Sequence, residues 1–212
     1  MNALKYLVDK YDLDLEQKSP IEIPNVDRQT LTQWFSDLKL KTGVEVGVER
    51  GVYSEVIARN NPQMKLYLVD PWEAYKGYRE HVSQSKLDGF YELTKEKMSK
   101  YKKVELIRKY SSDASKDFKD NSLDMVYIDA NHEFRHVVND IADWYPKVKK
   151  GGILSGHDYI RRKNAEYLMG VIDAVHGYTS AYKIKPYFVL GRKEVRDGEL
   201  RDNTRSWMLV KS

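Results

Sequence analysis

Residues 42–72 read TGVEVGVERGVYSEVIARNNPQMKLYLVDPW. Two short apolar runs, Gly43–Val46 and Lys65–Val69, flank a stretch in which Tyr53–Arg59 has helical spacing. Strand, helix and strand in that order predict a parallel βαβ unit. The same alternation continues through strand candidates Val104–Ile107, Leu123–Ile128 and Gly152–Ser155. Between the last two, His136–Tyr145 reads as a helix with Val137, Val138, Ile141, Trp144 and Tyr145 on one face. Repeated alternation implies an α/β fold with a mostly parallel sheet and helices on both faces. Right-handed crossovers make that sheet doubly wound.

Working outward, residues 3–11 place Leu4, Leu7, Val8 and Tyr11 at helical spacing. Lys18–Pro24 holds two prolines and reads as a connector. Leu31, Trp34, Phe35 and Leu38 form a second helical stripe, with Asp27 or Thr30 as cap. Residues 1–40 are therefore expected as an N-terminal helical cover, and 41–212 as the main domain. Residues 71–103 are too many for a simple crossover. Trp72, Tyr75, Tyr78, Phe90 and Tyr91 fall within them, and the expectation is a helical insertion of two helices, either a lid over a substrate or a packed pair. A helix is expected around Ala165–Val175, then strands Pro186–Leu190 and Ser206–Lys211, forming an antiparallel hairpin with Asp197-Gly198 in the intervening turn.

The chain has 212 residues, 41% of them hydrophobic and 32% charged, which suits one globular domain. It has no cysteine, which excludes disulfides, thiolate metal sites and cysteine nucleophiles. The net charge of +4 comes without a dense basic stripe, so nucleic acid is not an expected partner. No apolar run has the roughly 18 residues that cross a bilayer. The opening MNALKYLVDKYDLDLEQ carries charges throughout, unlike a secretory leader, so the cytoplasm is the expected location. The two N-terminal helices could also serve a homodimer.

In an open parallel sheet, ligands bind beyond the carboxyl ends of strands, where strand order reverses. The first strand runs into Glu45-Val-Gly47-Val-Glu49-Arg-Gly51. The two glycines permit a tight turn and close approach of a ligand, or simply a structural turn. Two acids there would repel a pyrophosphate and suit a cationic, amino-acid-bearing ligand. The second strand ends at Asp70, placed to accept from ribose hydroxyls or to cap a helix, and Trp72 follows for ring stacking or core packing. The third is followed by Asp113-Ala114, an acceptor for an adenine amino group or a helix cap. The fourth ends at Asp129, with His132 three residues on, and the fifth ends at His157-Asp158.

These elements resemble the class I S-adenosylmethionine-dependent methyltransferases. The likeness runs from about Thr42 to the C-terminus, on the Glu-x-Gly-x-x-x-Gly loop at 45–51, the acid at Asp70 and the pair Asp113-Ala114. The string YIDANHEFRHVVNDIADWYPKVKKGGILSGHDY at 127–159 is similar to a small-molecule branch related to metal-dependent catechol and macrolide-sugar O-methyltransferases. The resemblance implies seven strands in the order 3-2-1-4-5-7-6, the seventh antiparallel. It implies S-adenosylmethionine as cofactor. Gly47 and Gly51 would lie along its methionine part, Glu45 or Glu49 at its ammonium, Asp70 at the ribose, and Asp113 with Ala114 at the adenine. Asp129, His157 and Asp158 would hold a divalent cation, magnesium or manganese. Where catechol enzymes end strand five on two oxygen donors, this chain has a histidine, which either favours manganese or zinc over magnesium or does not ligate and bonds Asp129 instead. His132 stands where such enzymes carry a basic residue and would be the general base for a hydroxyl acceptor, with Asp129 beside it.

A dehydrogenase of related fold would want G-x-G-x-x-G at the first turn, where this chain has Glu49. Enzymes acting on nucleic-acid base amines commonly carry Asn/Asp-Pro-Pro-aromatic after strand four, where this chain reads Asp129-Ala-Asn-His132. A non-catalytic cofactor-binding protein of the same fold remains the alternative. The acceptor itself, whether sugar hydroxyl, phenol or amine, is left open.

Overall fold

The computed structural model describes residues 2–75, 83–161, 169–191 and 204–212. Its elements run α1 (Ala3–Tyr11), β1 (Ile21–Ile23), α2 (Arg28–Asp37), β2 (Thr42–Val46), α3 (Val52–Asn60), β3 (Lys65–Val69), α4 (Gln84–Met98), β4 (Val104–Ile107), α5 (Ser111–Ala114), β5 (Leu123–Ile128), α6 (Phe134–Trp144), β6 (Val148–Gly156), α7 (Val171–Ala181), β7 (Tyr187–Leu190) and β8 (Trp207–Val210).

The strands lie in the order β1-β7-β8-β6-β5-β2-β3-β4. From β7 to β4 this is the expected 3-2-1-4-5-7-6 arrangement, with β8 antiparallel to both β6 and β7 and the other neighbours parallel. The strand count is corrected from seven to eight. Ile21–Ile23, expected as a connector, pairs parallel to β7, with Ile21 opposite Phe188 and Ile23 opposite Leu190. Ile21 and Ile23 point inward and are buried, while Glu22 faces out. Three residues are too few to show alternation, and the flanking Pro20 and Pro24 confine such a strand to a sheet edge, where a missing N–H costs nothing.

Helices cover both faces. On one, Leu7 of α1, Leu31, Trp34 and Phe35 of α2 and Ile57 of α3 are fully buried against Leu66, Leu68 and Tyr127 of the sheet. The stripes of α1 and α2 are thus used inside this chain. On the other, Val137, Ile141 and Trp144 of α6 and Ala174 and Val175 of α7 pack on Val44, Val126 and Leu154. Burying each such side chain stabilises by about 1.5–3 kcal/mol. β5, Leu-Asp-Met-Val-Tyr-Ile, is buried at all six positions, as a central parallel strand covered on both faces must be. Asp27 caps α2: its carboxylate accepts from Thr30 N at 2.8 Å, and the Thr30 hydroxyl reaches back to the Asp27 amide.

Two local expectations change. In the described part of residues 71–103 there is one helix, α4, preceded by irregular residues 71–75. Tyr78 lies outside the described residues, as does the Asp197-Gly198 turn. The helix expected around Ala165–Val175 runs instead from Val171 to Ala181, and residues 162–168 are outside the described residues.

Candidate functional site

The chain builds β2, β3 and β4 in one direction across the sheet, then returns to place β5 and β6 on the other side of β2. The carboxyl ends of β2 and β5 therefore border a crevice where the connections diverge. Asp129 N donates to Val46 O at 2.7 Å and Gly47 N to Val69 O at 2.9 Å, which draws three strand ends together. Gly47 has φ +87°, and a Cβ there would come within 2.2 Å of the Asp129 carbonyl oxygen. A side chain is excluded by conformation and by space alike.

Asp70 holds the loop in shape. Its Oδ2 accepts from Val48 N at 2.9 Å and Glu49 N at 3.0 Å, and its Oδ1 accepts from Trp72 N at 2.8 Å. Trp72, 1% exposed, donates its indole N–H to Glu49 O at 2.8 Å, and Thr94 of α4 donates to the same carbonyl at 3.1 Å. Its ring meets Tyr91 edge-on. The aromatic segment after β3 is thus tied to the glycine loop by backbone contacts.

A cleft of about 590 Å³ opens over these strand ends, within the usual size of small-ligand sites. Val46, Gly47, Glu49, Asp70 and Trp72 line one part, and Ser111, Asp113 and Asp140 another. Asp129, Ala130 and Asn131 lie between. Asn131 donates to the Tyr75 hydroxyl at 3.0 Å, bridging the two rims. Asp113 is paired with Lys116 at 2.7 Å. Of the two acids expected near an ammonium group, Glu49 lines the cleft. Glu45, 2% exposed, does not: the Ser54 hydroxyl donates to it, and burial, reinforced by Asp129, pushes its carboxyl up to about 8. Gly51 and the wholly buried Ala114 also stay off the cleft wall. Gly51 instead starts α3 at φ +65°, against Thr94.

Asp129 also belongs to a second group of side chains. His132 Nε2 lies 3.0 Å from Asp158 Oδ2 and 3.4 Å from Asp129 Oδ1. The three donor atoms lie within 4.8 Å of one another. Burial opposes a charge on His132, but the Asp129 contact and the charges of Asp158 and Asp129 outweigh it and raise the imidazole above its ordinary value. Burial likewise opposes charge on Asp158, yet His157 and His132 hold its carboxyl down at about 2. His157, expected as the third metal ligand, is not in this trio. Its Nε2 lies 2.9 Å from the Thr204 hydroxyl, and its Nδ1 is 3.5 Å from Asp129 and 3.7 Å from Asp158. His132, expected as a base, takes that third place. A base oriented by an acid uses one ring nitrogen for the acid and the other for the substrate. Here Nε2 is the nitrogen that meets both carboxylates.

Several contributors were not legible beforehand. Arg28, on the first turn of α2, reaches Asp129 at 3.5 Å and lies over the Tyr53 ring at 5.1 Å. Ser111 and Asp140 meet at 2.5 Å beside the cleft, and Tyr75 touches Asn131. Each joins segments far apart in the chain, and only the amphipathic spacing of α6 and the cap of α2 gave any sign of where Asp140 and Arg28 would fall.

The chain is 26% identical over 169 residues to protein R132 of Acanthamoeba polyphaga mimivirus, which covers 76% of this chain and 72% of that one. Among solved structures, it superposes on the O-methyltransferase TomG of Streptomyces achromogenes, involved in tomaymycin synthesis and in complex with SAM, at a TM-score of 0.59 and 16% identity, covering all of this chain and 91% of that one. The Bacillus cereus O-methyltransferase in complex with SAH gives a TM-score of 0.59 at 12% identity over 99% of this chain and 90% of that one. Residues 44–159, from β2 through the turn after β6, match the family described as methyltransferase domain, and the chain belongs to that family.

Proposed function

We propose that this chain transfers the methyl group of S-adenosylmethionine to a hydroxyl oxygen of a small acceptor. The observation that carries the reading is Asp129, which lines the cleft on one side and joins His132 and Asp158 on the other. A cofactor site and an acceptor-activating group would have to adjoin in this way. The cleft suits a cationic ligand. Glu49, Asp70, Glu73 and Asp113 line it, against Arg135 among the described residues. Gly47 and Glu49 would hold the amino-acid part, Asp70 and Trp72 the ribose side, and Asp113 the adenine side. The two O-methyltransferases that share the fold carry SAM or SAH in their structures, which agrees with this use of the cleft.

The sulfonium, when bound, supplies an activated methyl group. The protein has to position the acceptor in line and exclude water, and the rim joined by Tyr75 and Asn131 serves that end. The acceptor hydroxyl must also lose its proton. One nitrogen and two carboxylate oxygens suit manganese better than magnesium. A cation held by Asp129, His132 and Asp158 would lower the hydroxyl pKa. A second reading rests on the raised imidazole: His132 keeps Nε2 towards Asp129 and Asp158, its other ring nitrogen takes the proton, and the two carboxylates stabilise the imidazolium.

Titration calorimetry with S-adenosylhomocysteine, with and without manganese, tests the cofactor; no heat of binding under either condition refutes the proposal. Turnover over a panel of phenols and sugars then separates the two readings. Loss on EDTA treatment with recovery on added manganese supports the ligand role. Turnover indifferent to EDTA but lost in His132→Ala supports the base.

A further inference from the structure

α6 passes along the cleft and presents Asp140 to it, a carboxyl only 7% exposed. Its Oδ1 accepts from the Ser111 hydroxyl at 2.5 Å, and that hydroxyl in turn accepts from Trp144 Nε1 at 2.9 Å. Ser111 is thus fully engaged and fixes the carboxyl in orientation. The second oxygen has no partner among the described residues. No wholly buried side-chain oxygen there lacks one, so Oδ2 keeps some exposure where Asp140 lines the cleft. It does so beside Ser112 and Asp113, the end that follows β4.

We propose that Asp140, through this oxygen, pairs with the edge of the cofactor's adenine and is a second acid for base recognition beside Asp113. The inference rests on the cofactor reading above. The chemistry fits: adenine presents a ring-nitrogen acceptor beside its amino group, and a carboxyl protonated on Oδ2 donates its O–H to that nitrogen.

Burial pushes Asp140 up to about 7, with the Ser111 bond working the other way and Asp143 adding to the rise. Asp143 lies on the same helix and lines the cleft. Across from it, Asp113 on α5 is paired with Lys116, and Arg135 and His136 line the cleft from the first turn of α6. Behind α6, Asp173 on α7 is paired with Arg161, and Lys147 after α6 with Asp120. None of these cations is paired with Asp140. An adenine ring laid over Oδ2 removes its remaining water and favours the neutral form further. Binding should therefore take up a proton above about pH 7.

Calorimetry on the full chain with S-adenosylhomocysteine, from about pH 5.5 to about pH 9, reads this directly. For the wild type, affinity should be flat on the acid side and fall above neutrality, approaching tenfold per pH unit at about pH 8 and beyond. Asp140→Asn keeps a donor and an acceptor without ionising. It should bind within about threefold of wild type at pH 6 and lose the alkaline fall. Asp140→Ala should bind about five- to tenfold more weakly at pH 6. S-inosylhomocysteine carries a proton on the ring nitrogen that adenine leaves free, so wild-type preference for the adenine compound should shrink in Asp140→Ala. Circular dichroism establishes that each variant is folded. A wild type that binds at no pH removes the cofactor reading and this inference with it. If the wild type binds but Asp140→Asn keeps its pH profile, or Asp140→Ala matches it in affinity and base preference, only the Asp140 inference falls.

Discussion

Asp70→Asn separates two roles for one carboxylate, ribose ligand and loop clasp. In the structure both oxygens accept from main-chain amides: Val48 and Glu49 on Oδ2, Trp72 on Oδ1. The amide side chain has one acceptor. If it stays with Val48 and Glu49, its NH2 faces the Trp72 N–H, and two donors meet. Two charge-assisted bonds become neutral ones, at about 1 kcal/mol each, and one donor loses its partner, at about 1–3 kcal/mol. The loop is partly open to water, which compensates some of this, leaving about 2–4 kcal/mol. For a domain of this size each kcal/mol moves Tm by about 2–4 °C, so the melting temperature should fall by about 5–15 °C. The assay is thermal unfolding without ligand, followed by far-ultraviolet circular dichroism. A drop of under about 2 °C, with S-adenosylhomocysteine binding alone impaired, would refute the clasp and leave Asp70 as a ligand only.

Gly47→Ala should destabilise the fold by about 2–4 kcal/mol, from overpacking against the Asp129 carbonyl and a left-handed φ; urea unfolding checks it, and an unchanged midpoint counts against the close approach. Asp140 should make stability depend on pH. Its folded pKa is raised to about 7 from 3.8, so its contribution is whole below about pH 4 and is lost as pH rises to about 7. Asp140→Asn should accordingly be more stable than wild type at pH 8, by up to about 4 kcal/mol, with the gap closing at pH 4 in urea unfolding. A gap that stays constant across that range would contradict the buried carboxyl. His132→Ala should lower turnover by about 10²–10⁴-fold while S-adenosylhomocysteine affinity changes less than about threefold; loss of cofactor binding would instead place His132 in the cofactor site.

The strand–helix alternation from Thr42 onward determined the mostly parallel sheet, because burial on both faces imposes short continuous apolar runs that residue order reveals, while the strand order was implied by the family resemblance. The glycine at 47 and the acids at 70 and 129 were also legible, since each follows directly on a strand whose end the fold turns towards the cleft, and Asp113 stands in the short helix after β4. β1 was not, because an edge strand of three residues between prolines leaves no period to read. Nor were the roles within the site. Glu45 turns away from the cleft onto Ser54, His132 joins Asp129 and Asp158, and Arg28 and Asp140 arrive from helices. Local sequence decides which residues stand at strand ends. Which way each side chain points, and which distant segment meets it, depends on packing between elements far apart in the chain, and only the tertiary structure decides that.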